Sequence, residues 1–226
     1  MEPEYADKEV VVLLHGILRT RRTMQLLNYY LRKKGYYVLN ITYPSNKHTL
    51  QELTDFLHSE LSTRDAFNKA SKVHFVTHSM GGILTRYYLS KHKPANLGRV
   101  VMMGPPNQGS EFADFMSEKR ALRKIFKKLF GPAGQQLRVA HKHEDDDIDY
   151  EVGVIAGDLN INPLAPYVLR REKSDGIVAV ERTKIEGMKD HVVVKSTHSF
   201  MIFNPAVLRQ IDHFLKHGVF HRKPSP

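Results

Sequence analysis

The chain of 226 residues contains no cysteine. Disulfides and thiol chemistry are therefore excluded, and redox gives no clue to compartment. Apolar runs of the roughly 20 residues that a membrane-spanning helix needs are also missing; the longest runs have the length of strands. Met1-Glu2-Pro3-Glu4-Tyr5-Ala6-Asp7-Lys8 starts acidic and has no apolar core of a secretory signal. A cytoplasmic location, peripheral contact with a membrane left open, is the expectation. There is no internal repeat, no nucleic-acid motif and no stripe of aromatics interleaved with basic residues. The net charge of +10 is accordingly not read as a nucleic-acid footprint. No nucleic-acid partner is expected, and the oligomeric state is left open.

What is present is a regular alternation. Val10-Val11-Val12-Leu13-Leu14 is a continuous apolar run, the pattern of a strand buried on both faces. A helical stretch around Met24 to Leu31 follows and closes at Lys33-Lys34-Gly35. Tyr37 to Ile41 reads as a second strand and Leu50 to Ala70 as one helix. Val73-His74-Phe75-Val76 is the third strand, Val100 to Met103 the fourth, Val152 to Ala156 the fifth and His191 to Val194 the sixth. Pro205 opens a last helix through Leu208, Ile211 and Leu215. Strands alternating with helices predict an α/β fold with a mainly parallel sheet in one domain over residues 1–226. The long charged stretch from Gln108 to Tyr150 breaks the alternation and reads as an insertion over one end of the sheet. His221 to Pro226 reads as a disordered tail.

The most informative segment is Thr77-His78-Ser79-Met80-Gly81-Gly82, directly after the third strand. Strand, tight turn and helix put Ser79 at the apex, where its hydroxyl is pushed out of the sheet toward a base. The N-terminus of the following helix offers backbone N–H groups to an oxyanion. An activated serine needs a base and an acid to orient that base. Sites in open α/β sheets lie at the carboxyl ends of strands. That favours His198, just after the last strand, among thirteen histidines. It favours Asp175, in Ser174-Asp175-Gly176-Ile177-Val178, with Asp158 as the rival acid. The order Ser79, Asp175, His198 matches one known triad order.

These segments resemble the α/β-hydrolases, and within them the small bacterial lipase and esterase group. His15-Gly16-Ile17 is similar to their oxyanion loop, and His78-Ser79-Met80-Gly81-Gly82 to their nucleophile elbow. Gly104-Pro105-Pro106-Asn107-Gln108-Gly109-Ser110, Ser174 to Val178 and Thr197-His198 are similar to later segments of the same family. The resemblance implies an α/β-hydrolase fold with a minimal core of about six mostly parallel strands flanked by helices. It implies a short helical lid or cap between the fourth and fifth strands, here residues 108–150. It also implies a serine esterase or lipase acting on a small-molecule or lipid ester, with catalytic Ser79, Asp175 and His198, oxyanion N–H groups on Ile17 and Met80, and no cofactor. Thioesterase or acyltransferase chemistry would use the same triad, and a catalytically silent binding protein would use the same fold. His15 and His78 would hold loop geometry. Two departures stand out: Thr77 replaces the first glycine of the elbow, and nothing before Val10 could supply the family's two leading strands, so the sheet should begin there.

Two further stretches carry alternatives. Lys119 to Phe130 places Ala121, Leu122, Ile125, Phe126, Leu129 and Phe130 among six basic residues. This basic amphipathic pattern reads either as a lid touching an anionic membrane surface or as a helix packed on the core with a solvated cationic face. His141-Lys142-His143-Glu144-Asp145-Asp146-Asp147 has metal-ligand side chains, but its spacing matches no defined site; it reads as a hydrophilic loop and no metal is expected.

Overall fold

The computed structural model describes residues 5, 8–118, 120–138 and 148–222. Six strands form one sheet: β1 (Val10–Leu14), β2 (Tyr37–Ile41), β3 (Val73–His78), β4 (Leu97–Met103), β5 (Val152–Gly157) and β6 (Asp190–Val194). The spatial order is β2-β1-β3-β4-β5-β6, and every pairing is parallel. The helices are α1 (Gln25–Lys33), α2 (Leu50–Ser62), α3 (Asp65–Asn68), α4 (Met80–His92), α5 (Glu111–Glu118), α6 (Arg120–Gln136), α7 (Ala165–Val168) and α8 (Pro205–His217).

The continuous apolar runs of the central strands have the reason expected of parallel sheets, since helices cover both faces. The pleat sends alternate side chains to opposite sides. Val10, Val12, Leu14, Phe75 and Met102 join α2 and α4 through Leu53, Leu57, Leu61, Ile83 and Leu84. Val11, Leu13, Val76 and Val101 join α1 and α8 through Leu27, Leu31, Ile211 and Phe214. A one-residue slip of any strand would exchange these two cores, so the register is strongly specified. The chain leaves β1 toward β2 and then returns to place β3 on the other side of β1. The carboxyl ends of β1 and β3 thus flank a switch point, the usual position of a crevice in such sheets.

Four expectations need correction. The helix predicted over Leu50 to Ala70 breaks, because Arg64 takes an extended backbone (φ −100°, ψ 111°) and separates α2 from α3. Arg64 is held there by hydrogen bonds from its guanidinium to the carbonyl and carboxylate of Glu60. The fourth strand begins at Leu97, three residues before the apolar run, because parallel pairing with β3 extends to Val73. The sixth begins at Asp190, paired with Gly153. The tail is tied down as far as Arg222: the His221 N–H donates to Gln210 Oε1 (2.8 Å), and the Arg222 guanidinium pairs with Asp190. Residues 223–226, and the whole His141–Asp147 stretch weighed for metal, lie outside the described residues.

Between β4 and β5 stand α5 and α6. Gly131 (φ 63°) interrupts α6 beside Pro132. The part beyond this kink is pinned to the loop after β2: the Ala133 N–H donates to the His48 carbonyl (3.0 Å) and the Leu50 N–H to Gln136 Oε1 (2.7 Å).

Candidate active site

Ser79 joins β3 to α4 with φ 54° and ψ −125°, a left-handed conformation that a side-chain-bearing residue adopts only under constraint. The constraint is visible on both sides. The Ser79 N–H donates to the Met103 carbonyl at the end of β4 (2.8 Å), and the Ser79 carbonyl accepts from the Gly82 N–H (2.9 Å). Gly81 lets α4 start against the end of β1: a Cβ there would lie 2.7 Å from the Leu14 carbonyl oxygen. Thr77, where the family pattern has glycine, is fully buried, and the sharp turn forms nonetheless.

The Ser79 hydroxyl is 3.0 Å from His198 Nε2, and His198 Nδ1 is 2.7 Å from Asp175 Oδ2. An ionised carboxylate can only accept, so Asp175 holds the proton on Nδ1 and leaves Nε2 free to accept from Ser79. Asp175 is itself fixed. Its Oδ1 accepts from the Ile177 and Val178 N–H groups (3.0 and 2.8 Å), and its carbonyl accepts from the His198 N–H (2.9 Å). All three residues are buried, with Asp175 only 2% exposed. Asp158, the rival acid, is exposed on the loop after β5 and makes no hydrogen bond to His198.

Ile17 lines the same cavity as Ser79, and Met80 directly follows Ser79 in the chain. Met80 is the first residue of α4, where helix N–H groups lack intrahelical partners. Ile17 follows Gly16, whose backbone lies so close that a Cβ would meet Ser79 Cβ at 3.2 Å and His78 Nδ1 at 3.0 Å.

Two histidines brace this arrangement. His78 Nε2–H donates to the His198 carbonyl (2.9 Å), and burial pushes the His78 ring down to about 3, so it is neutral at physiological pH. His15 is fully buried, also shifted down by burial, and stacks on Tyr43 at 4.2 Å. The Tyr43 N–H donates to His15 Nε2 (3.3 Å), and the Tyr43 hydroxyl donates to the His15 carbonyl. Sequence reasoning missed Tyr43, which stands just before Pro44 and has no motif of its own.

A cavity of about 400 Å3 opens beside Ser79 and His198. Its wall is mostly apolar and includes Phe112 from α5 and Phe126, Phe130 and Leu137 from the insertion, with Arg19 and Ser199 at the rim. The apolar stripe read from Lys119 to Phe130 is thus two surfaces. Phe126 (3% exposed) and Phe130 face the cavity, whereas Ile125 and Leu129 are 52% and 47% exposed. Among the stripe's remaining members, Lys119 and the side chains of Arg120, Ala121 and Leu122 lie outside the described residues. Sequence periodicity could not separate the two pairs, because adjacent helical positions differ by only about 100°.

Among the described residues no helix is long and apolar enough to cross a membrane, and no cluster of three or more His, Asp or Glu side chains could hold a metal.

Residues 9–145 match the family described as alpha/beta hydrolase fold. The chain is 28% identical over 121 residues to triacylglycerol lipases of Pseudarthrobacter phenanthrenivorans and Burkholderia plantarii. That match covers 50% of this chain but 38% and 34% of those relatives, so it spans little more than a third of their length. Among solved structures, the mature form of a Bacillus licheniformis lipase superposes with a TM-score of 0.77 at 18% identity, covering 94% of this chain and 92% of that one. A Legionella pneumophila phospholipase superposes with a TM-score of 0.75 at 15% identity, over 94% of this chain and 61% of its own.

Proposed function

We propose that the chain, which belongs to the α/β-hydrolase family, cleaves carboxylic esters with Ser79 as nucleophile, His198 as general base and Asp175 as the orienting acid. The observation that carries this reading is the continuous relay from Ser79 Oγ through the His198 ring to a fully desolvated Asp175 carboxylate. Ser79 Oγ would attack the ester carbonyl as its proton passes to His198 Nε2. The C–O bond to the alcohol would break, with that proton delivered to the leaving oxygen. Water, deprotonated by the same nitrogen, would then release the acid and restore Ser79. The Ile17 and Met80 N–H groups would stabilise the oxyanion of both tetrahedral intermediates, each donor contributing on the order of 3 kcal/mol. These steps use only groups of the chain itself.

The apolar cavity wall supports a substrate with a hydrocarbon acyl chain, and the lipase names of the curated relatives point the same way. The test is a series of chromogenic esters of rising chain length, with Ser79→Ala as the blank, alongside labelling by a fluorophosphonate probe. Turnover lost by at least about 10⁴-fold in Ser79→Ala, with the label mapped to Ser79, is the expected result. A label on another residue, or a folded protein inert toward every ester, would overturn the assignment. Turnover of thioesters alone would redirect it to that class.

A further inference from the structure

The large apolar side chains that remain exposed are concentrated at one end of the molecule. Of thirteen among the described residues, only Leu26, Tyr29, Val193 and Val219 lie elsewhere. The other nine stand on the connections that leave the carboxyl ends of the strands, the end at which Ser79 sits. They include Leu18 after β1, Ile125 and Leu129 on α6, Ile161 and Tyr167 after β5, and Phe200 two residues after His198. Ile161, Tyr167 and Phe200 are 69%, 74% and 62% exposed.

The same connections carry exposed cations. Arg19, Arg123, Lys124, Lys127, Lys128 and Arg170 have no ion pair among the described residues. Several cations at the opposite end of the sheet are paired: Lys72 with Glu9, Arg99 and Lys189 with Glu151, and Arg222 with Asp190; on the Ser79 side Arg138 and Arg182 pair with Asp114 and Glu111. An apolar rim mixed with exposed cations that have no ion pair among the described residues therefore borders a cavity that opens on the same side.

We propose that this end of the molecule docks on an anionic lipid bilayer, with the mouth of the Ser79 cavity facing the membrane. Apolar side chains flanked by lysine and arginine are suited to the headgroup boundary, where insertion and attraction to anionic lipid add. Aromatic side chains such as Tyr167 and Phe200 favour that depth. Charge argues against a second copy of the chain as the occupant, because a symmetric contact through this face would bring the cations of α6 on two copies together. The proposal rests on the ester-hydrolase reading and deepens it, naming as substrate an acyl ester of a lipid drawn from the bilayer. It differs from the membrane contact expected of Lys119 to Phe130 in its anchors: Phe126 and Phe130 face the cavity, and Ile125, Leu129 and the loops after β1, β5 and β6 face outward.

The test uses full-length Ser79→Ala, so that binding is measured without turnover. It is sedimented with vesicles of neutral phosphatidylcholine alone or with about 30 mol% phosphatidylglycerol. The expected partition onto the anionic vesicles exceeds that onto neutral ones by at least about tenfold and collapses near 0.5 M salt, roughly where screening shortens to a few ångströms. Combining R123Q, K124Q, K127Q and K128Q should lower anionic binding at least about tenfold. Combining Ile161→Ser with Phe200→Ser should lower it several-fold, through lost apolar insertion. Replacing exposed cations elsewhere, Lys33→Gln with Arg209→Gln, should change it less than about twofold. Equal losses in that control, no preference for anionic vesicles, or a dimer in light scattering that dissociates in the Ile161 and Phe200 variants would each overturn the proposal. Hydrolysis of water-soluble esters by the chain with Ser79 intact, measured separately, tells failure of docking from failure of the esterase reading.

Discussion

The amino and carboxyl ends of the sheet treat charge in opposite ways. At the amino end, where β1, β3, β4, β5 and β6 begin, several ionic side chains are matched. Glu9 meets His74 and Lys72, Glu151 meets Arg99 and Lys189, and Asp190 meets Arg222. His74 is 1% exposed yet satisfied, accepting from the Arg99 N–H at Nδ1 (2.8 Å) and facing Glu9 at Nε2 (3.1 Å). At the carboxyl end, Arg19, Arg123, Lys124, Lys127, Lys128 and Arg170 have no ion pair among the described residues, large apolar side chains face water and Ser79 is held in a constrained backbone conformation. The first end satisfies many of its groups internally. Under the proposed docking, the second finds partners for its groups outside the protein. Local departures from self-consistency of this kind are where function is sought.

The contrast implies that changes at the carboxyl end cost activity while changes at the amino end cost stability. The largest expected effect is at Asp175. Asp175→Asn should lower kcat on a soluble ester by about 10³ to 10⁴, through loss of the Nδ1–H tautomer of His198. Asp158→Asn should leave kcat nearly unchanged, and steady-state kinetics of the two variants settles the ranking. The reverse order would move the acid to Asp158.

An intermediate effect concerns acid pH and reaches both ends. Burial lowers the affinity of His78 and His74 for protons in the folded state, while both titrate near 6.5 when unfolded. The unfolded chain thus binds more protons below pH 6.5, so folding stability is full above that pH and falls as pH drops. For His78 the loss continues down to about pH 3. Thermal midpoints should therefore decline between pH 6.5 and 4.5, before most carboxylates titrate. His78→Asn should flatten that slope by up to about 1.4 kcal/mol per pH unit. An unchanged slope would show that other groups govern acid stability.

The smallest effect is expected at Glu151, which is partly exposed. Glu151→Gln should cost less than about 1 kcal/mol, a fall of a few degrees at most in Tm, with kcat untouched. A loss of activity without a loss of stability would undo the division between the two ends.

Much of this architecture is legible in local chain chemistry. Apolar runs marked all six strands; β1, β3 and β5 are buried along their whole length, and a strand covered on both faces is largely apolar. Ser79 between a strand and Met80-Gly81-Gly82 marked the turn, and chain order nominated Asp175 and His198. The break at Arg64 was not legible, because Leu53, Leu57, Leu61 and Phe67 keep helical spacing across it and the break depends on how Arg64 bonds back to Glu60. Tyr43 likewise had no signal, since its role lies in a partner 28 positions away.

Distances and facing are another matter. Ser79 and His198 are separated by 119 residues, and His198 and Asp175 by 23. Their contact depends on the parallel register that brings the carboxyl ends of β3, β5 and β6 to one edge. The direction in which Phe126 and Ile125 point was set in the same way, by the docking of α6 beyond Gly131 onto the loop after β2. Periodicity records which residues share an element, because backbone geometry repeats locally. It carries no record of what the element packs against, because that is fixed by chain segments far away in sequence.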